Sequence, residues 1–376
     1  MGKRIGLLTA SASRLGGGVF EAVVVQAELI RQLGGEARIF ALDDAHSDAD
    51  ATRFAPSVVT HCAIRGPKQV GYAPDLVPAL LAAELDLLHL HGIWMYPSRA
   101  GATWARQTGR PYIISPHGML DPWITARGRW KKALARLGYE RASWRAAAAL
   151  HGLTMREAED IARETGRCDS VVIANAGPLV SAGAGEARGT EVAYIGRIHA
   201  KKNLLALVAA WRDAALPDGW RLTIAGWGDE GEVARLQAVV AERDDGVSFV
   251  GPIYGADKQT LLGRARFVVL PSHSEGLPMA ILESWAAGTP TLMSVECNLP
   301  AGFAAGAALD CGFDVGTIAT CLRQAVAMDD AAWGKMSAAA RGLAAGVFSA
   351  ENVTKLWGEA YVAAIKRVAM HRGDWA

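Results

Sequence analysis

The chain has 376 residues, half of them apolar and a fifth charged, with 39 Lys and Arg against 38 Asp and Glu. That length suits two α/β domains of ordinary size better than one core, and the balanced charge excludes broad electrostatic recognition of nucleic acid. Five cysteines (Cys62, Cys168, Cys297, Cys311, Cys321) are scattered, odd in number and never spaced as C-x-x-C, which argues against a disulfide framework and a thiolate metal site and for a reducing cytosol. The apolar run after Lys3-Arg4 stops at Thr9, too short for a signal h-region, and no stretch has the length of a membrane span. A cytoplasmic location is expected, any membrane contact being peripheral and on the inner face.

In chain order, the first predicted strand, Arg4–Leu8, leads through Ser13-Arg14-Leu15-Gly16-Gly17-Gly18 into a helix over Val19–Leu33. This places amides and a positive helix end where an anion could rest, though a plain flexible turn fits the glycines equally. Arg38–Leu42 is the next strand. The polar run after it holds Asp48-Ala49-Asp50, read as solvated loop rather than as a D-x-D metal–nucleotide site. Leu87–Leu90 and Tyr112–Ser115 read as strands, each followed by a His-Gly pair, His91-Gly92 and His117-Gly118. No carboxylate or cysteine accompanies His89, His91 and His117 at ligand spacing, so no zinc site is expected.

Arg127–Arg141 is dense in cations inside a helical pattern over Trp130–Trp144. Arg129, Lys132 and Arg136 share one face and Trp130, Leu134 and Leu137 another, the layout of a helix lying on an anionic membrane. The alternative is that Leu134 and Leu137 face the core and the cations are simply solvated. Val171–Ala174 closes this series of strands. After it, Ser181-Ala182-Gly183-Ala184-Gly185 has no apolar period and is the predicted linker.

A second series follows, with strands at Val192–Ile195, Leu222–Ala225, Val247–Val250, Phe267–Leu270 and Thr291–Met293. Alternating strands and helices predict two doubly wound, Rossmann-like domains of parallel sheet facing a deep cleft. The domains are placed at residues 1–177 and 178–350. A last amphipathic helix, in 351–376, packs back toward the first domain through Val353, Leu356, Trp357, Ala360, Tyr361 and Ile365.

Ligands of such sheets bind beyond the carboxyl ends of the strands. There, Gly196-Arg197 and Lys202 offer a guanidinium fork and a point charge to a diphosphate. Gly226-Trp227-Gly228-Asp229-Glu230-Gly231 fits the dinucleotide fingerprint, but it follows the second strand of its half, where the fingerprint follows the first. Most informative is Ser274-Glu275-Gly276-Leu277-Pro278-Met279-Ala280-Ile281-Leu282-Glu283, with Pro278 suited to the first helical position. At a rise of ~1.5 Å per residue, two carboxylates eight positions apart on one helix would be roughly 10 Å apart, the reach from ribose to sugar in a nucleotide-sugar.

Together these residues resemble glycosyltransferase family 4, retaining enzymes of the GT-B fold, over nearly the whole chain. The E-x7-E element Glu275–Glu283 carries most of the likeness, Gly196-Arg197 with Lys202 resembles the family's second signature, and Gly17-Gly18 its glycine loop. The segments His89–Trp94 and Pro116–Trp123 are similar to bacterial polysaccharide-assembly members. The resemblance implies metal-independent transfer of a hexose from a UDP- or GDP-linked donor to a hydroxyl of a glycan acceptor, lipid-linked in this group, with no cofactor.

By the same likeness, Arg197 and Lys202 neutralise the leaving diphosphate, Glu283 binds the ribose and Glu275 the donor sugar. The amides of Gly17, Gly18, Gly276 and Leu277 complete the cradle, and His117 lies beside the reacting sugar. Charge on the departing phosphate helps deprotonate the acceptor on the same face. The alternatives are a nucleotide-sugar epimerase on the same fold and a two-lobed binding protein without catalysis.

Overall fold

The computed structural model describes residues 2–179 and 188–372. The predicted linker Ser181–Gly185 lies outside them. Contacts divide the chain into two compact units, Met1–Ala174 with Val353–Ala376 and Asn175–Asn352.

In the first unit, β1 (Arg4–Thr9), β2 (Glu36–Leu42), β3 (Val58–Cys62), β4 (Leu87–His91), β5 (Tyr112–Ser115), β6 (Ala149–Gly152) and β7 (Val171–Val172) form a parallel sheet in the order β3-β2-β1-β4-β5-β6-β7. Every residue of β4 and β5 is buried, because helices cover both faces of a parallel sheet. In the second unit, β8 (Glu191–Ile195), β9 (Arg221–Ala225), β10 (Val247–Gly251), β11 (Phe267–Leu270), β12 (Thr291–Met293) and β13 (Ala308–Asp310) run parallel in the order β10-β9-β8-β11-β12-β13. Each order reverses once, between β1 and β4 and between β8 and β11. Neighbouring helices leave such a point on opposite faces, which opens a crevice at the carboxyl ends of the strands.

Two local readings change. The helix expected over Trp130–Trp144 is in three pieces: Arg129–Ala135, a π-helical turn Arg136–Glu140, and Arg141–Ala146. The wide turn brings Glu140, fully buried, to the amide of Trp94, whose N–H donates to its Oε1 at 2.6 Å. An inserted residue of this kind is a recurrent way to aim one side chain out of helical register. The Asp48-Ala49-Asp50 run is also not solvated loop. Ser47–Asp50 is a helical turn, and buried Asp50 takes the Arg14 guanidinium at 2.6 Å and the Arg14 amide at 2.8 Å.

The last helix, Ala350–Arg372, is covered along Val353, Trp357, Tyr361 and Ala364, while Leu356, Ala360 and Ile365 of the expected stripe are half-buried. Tyr361 is wholly buried in the first unit, where its hydroxyl meets Gln26 Nε2 at 2.7 Å and His89 Nδ1 at 3.0 Å.

Candidate active site

In the second unit Lys202 and Glu275, two of the expected site residues, meet where the sheet order reverses. The loop after β8 is pinned to the loop after β9: Ile198 N donates to Trp227 O at 2.6 Å, and Ile198 bridges Gly228. This crossing explains the glycines of the apparent dinucleotide fingerprint. A Cβ at Gly226 would stand 1.8 Å from Gly196 O and one at Gly228 2.2 Å from Ile198 O, whereas Gly231 has open space. The glycines serve a backbone crossing that aims the next turn, Ala200–Lys202, whose Lys201 amide is capped by His199 Nδ1 at 3.1 Å.

From that turn the Lys202 ammonium reaches Glu275 Oε1 at 2.5 Å, with Ser272 Oγ donating to the same oxygen at 2.6 Å. The pair is largely out of solvent, the side chains being 20% and 10% exposed. Glu275 is held by its backbone as well: its N–H donates to Glu296 O at 3.0 Å and its carbonyl accepts from Asn298 Nδ2 at 2.5 Å. His273 N donates to Lys201 O at 2.8 Å, which ties the loops after β8 and β11 together.

The spacing argument for the two glutamates does not survive. The helix is Met279–Ala286, Pro278 is its N-cap residue rather than its first residue, and Glu275 lies in the loop before it. Glu283 is on the helix, and Lys258 Nζ meets its Oε2 at 2.5 Å. Arg197 is 54% exposed, with Nη2 3.5 Å from Asp229 Oδ2.

The sequence reading missed three features here. Lys258, from the helix Gly255–Arg264, matches no signature, because its partner is 25 positions away and set by packing. Trp227 and Tyr254 follow β9 and β10 and are 51% and 65% exposed, with ring centroids 6.2 Å apart. Two large rings left side by side in water are an unusual surface and an available stacking platform.

In the first unit, the strand ends carry a connected set of histidines. His151 Nε2 is 2.9 Å from Ile173 O, an oxygen that can only accept, and this fixes the proton on Nε2. Directions then follow along the chain. Ser115 donates to His151 Nδ1 (2.7 Å), His89 Nε2–H donates to Ser115 Oγ (2.7 Å), Tyr361 donates to His89 Nδ1 (3.0 Å), and Gln26 donates to Tyr361. Both imidazoles are neutral.

His91 Nδ1 and His117 Nε2 are 2.9 Å apart, and buried His91 Nε2 has no partner among the described residues. An orphaned N–H is rarer than an orphaned lone pair, so His91 donates through Nδ1 and His117 carries its proton on Nδ1. Burial holds His117 down to about 3 and His151 to about 4, and it lowers His89 and His91 strongly as well. His117 therefore brings a neutral N–H donor and no positive charge. It adopts φ +55°, uncommon outside glycine, in a turn held by buried Glu157, which accepts from Gly118 N at 2.6 Å.

The glycine turn after β1 is similarly braced. Asp44 Oδ2 accepts from Ser11 Oγ at 2.7 Å and Ser13 Oγ at 2.9 Å, and its Oδ1 accepts from His46 N at 2.9 Å. Gly17 adopts φ +55°, ψ −130°, and its amide donates to Arg14 O at 3.2 Å. Gly18 opens the helix Gly18–Gln32. Among the described residues no group of three or more His, Cys, Asp or Glu side chains is arranged to hold a metal.

Two doubly wound parallel units define the GT-B fold, and known structures share it. The Anabaena protein HepE in complex with UDP superposes with a TM-score of 0.77 at 18% identity over 96% of this chain and all of that one. Sucrose-phosphate synthase from Thermosynechococcus elongatus gives 0.74 at 20% identity, over 96% and 98% of the two chains. Residues 17–177 match the family described as glycosyl transferase 4-like domain, and residues 189–321 match glycosyl transferases group 1. The chain belongs to the GT-B glycosyltransferases. It is 29% identical over 170 residues to the D-inositol 3-phosphate glycosyltransferase of Mycobacterium tuberculosis; that match covers 43% of this chain and only 35% of the relative.

Proposed function

We propose that the chain transfers a hexosyl group from a nucleoside-diphosphate sugar to a hydroxyl of a glycan acceptor, with retention of configuration and without a metal ion. The observation that carries this reading is the Lys202–Glu275 pair at the switch point of the second sheet, with Arg197 beside Asp229 in the loops after β8 and β9 and Glu283 beside Lys258 on the helix that follows β11. Arg197 and Lys202 take the charge that grows on the β-phosphate as the glycosidic bond breaks, where fixed cations in a partly dry site are worth most. Glu275 accepts from hydroxyls of the donor sugar and Glu283 from those of the ribose. The amides of Gly276 and Leu277 complete the cradle, and the faces of Trp227 and Tyr254 stack the base. A uridine donor is favoured by the HepE structures, which hold UDP and UDP-glucose.

A lipid-linked acceptor is supported by an exposed face on the first unit. Trp130, Leu134 and Leu137 are 66%, 63% and 72% exposed, so the alternative that the leucines face the core is overturned. The cations differ from those expected. Lys132 donates to Ile124 O and Arg127 O, and Arg136 pairs with Glu164 at 2.5 Å, which ties both into the domain. Arg127, Arg129, Lys131 and Arg141 are the exposed ones. Among the described residues no helix is long and apolar enough to cross a membrane.

The test is a thermal-shift series with UDP, GDP, ADP and dTDP and their sugars, followed by transfer assays with EDTA. A shift with UDP and transfer that survives EDTA are expected. Conversion of the donor alone would establish the epimerase instead, and transfer restored only by added magnesium would overturn the metal-free mechanism.

A further inference from the structure

A pocket of about 420 Å³ opens in the first unit where its sheet order reverses. It is lined by the ends of β1, β2 and β4 at Thr9, Leu42 and His91, and one side is the glycine turn with Leu15, Gly16 and Val19. That is the volume of a small-molecule site, at the place where such sheets bind ligands. Its walls are mostly hydrocarbon: Leu15, Val19, Leu42, Ile64, Ile93 and the two methionines Met95 and Met119, whose flexible thioethers conform to a ligand's shape.

Beside the uncharged Thr9, Ser11, His91 and Ser98, the charged groups are few and mostly of one sign. Asp43 and Asp44 line the pocket against the single cation Lys68. Burial pushes the Asp44 carboxyl up, but hydrogen bonds from Ser11, the His46 amide and Ser13 more than offset it, so the group stays ionised. A fixed carboxylate at the edge of an apolar pocket accepts a hydrogen bond from a hydroxyl and repels an anion.

We infer that this pocket takes the acceptor, and that the group entering it is neutral: a hydroxyl directed to Asp44, on a sugar or aglycone with a large apolar face. A phosphorylated polyol, such as the one named for the mycobacterial relative, finds two carboxylates and one lysine here and is excluded by charge. This rests on the glycosyltransferase reading and adds the acceptor's chemical class.

The probes are octyl β-D-glucoside below its micelle concentration, glucose and glucose 6-phosphate, titrated calorimetrically into the full chain with and without UDP. Octyl glucoside should bind at least tenfold more tightly than glucose, and glucose 6-phosphate more weakly than either. Ala45→Trp places an indole at the exposed edge of the pocket and should weaken octyl glucoside at least tenfold while UDP binding stays unchanged. Asp44→Asn should abolish the preference for glucose over glucose 6-phosphate.

Tighter binding of glucose 6-phosphate, or indifference to Ala45→Trp, would overturn the proposal. So would loss of octyl glucoside binding in Trp130→Ser/Leu134→Ser/Leu137→Ser, which would place the alkyl chain on the exposed face instead. Failure of the donor reading shows separately, as no UDP binding to the unaltered chain.

Discussion

Lys202 and Glu275 neutralise each other, and Lys258 does the same for Glu283. The proposed donor site thus holds its charges in pairs, and a diphosphate arriving there would share Lys202 with a carboxylate. Sharing suits transition-state binding, because the ammonium gains most when the leaving phosphate has its full charge. Lys202→Ala should lower kcat/KM by about 2–4 kcal/mol, with circular dichroism unchanged. Lys202→Met/Glu275→Gln removes the pair without leaving a lone charge; it should keep the melting temperature and still lose transfer. Normal turnover in both variants would remove Lys202 from the donor site. As candidates, Arg197, Lys202 and Glu275 were legible because they lie in the segments that follow strands, and Glu283 because it is a carboxylate in an otherwise apolar helix; their roles come from the family resemblance. Lys258, Asp44 and the Trp227–Tyr254 pair were not, since only the packing of separate loops and helices makes them neighbours.

Elements were legible where burial is simple. Strands such as Tyr112–Ser115 and Phe267–Leu270, covered on both faces, give continuous apolar runs that mark them out. Three went unseen for physical reasons: β3 is half-exposed, β6 continues an alanine run that reads as helix, and β13 has three residues. The C-terminal helix was legible as amphipathic and as packing toward the first domain, but the side chains it covers were not. It closes on the histidine network, stacking Trp357 on His89 and His151 with centroids 5.0 and 4.6 Å apart.

That network sets a pH dependence. Four histidines are held neutral below their ordinary value of 6.5, so the unfolded chain binds protons that the folded one refuses. Their contribution is complete above pH 6.5 and is lost as pH falls toward 4 and 3. Glu140, raised to about 7 by burial, and Glu157 and Asp160, also raised by burial, work in the opposite direction, but they are three groups against four. Each net proton is worth about 1.4 kcal/mol per pH unit. The urea midpoint should therefore fall between pH 7.5 and 5.0, with proton uptake on unfolding. A midpoint unchanged or higher at pH 5.0 would show that the histidines are not neutral in the fold.

For the whole molecule, the net charge of +1 offers an anionic surface nothing to hold, so any docking depends on how a few side chains are distributed. They are concentrated on Trp123–Arg141. Trp130, Leu134 and Leu137 stand in water, and Arg127 lies over the Trp123 ring at 3.4 Å. Arg129, Lys131 and Arg141 are exposed on the same stretch. Leaving three large apolar side chains exposed forfeits burial that a slight rotation of the helix would recover, unless another apolar phase covers them. The π turn prevents that rotation, because Glu140 and Trp144 are anchored in the core. Each cation near an anionic leaflet contributes about 1 kcal/mol, and that part is screened by salt, whereas the apolar part is not. Co-sedimentation with phosphatidylcholine–phosphatidylglycerol vesicles should then separate the two. Arg129→Ser/Lys131→Ser/Arg141→Ser should remove the salt-sensitive fraction, Trp130→Ser/Leu134→Ser/Leu137→Ser should abolish binding at every salt concentration, and Lys132→Ser should leave the salt dependence unchanged. Binding that ignores both triple replacements would place membrane contact elsewhere on the chain.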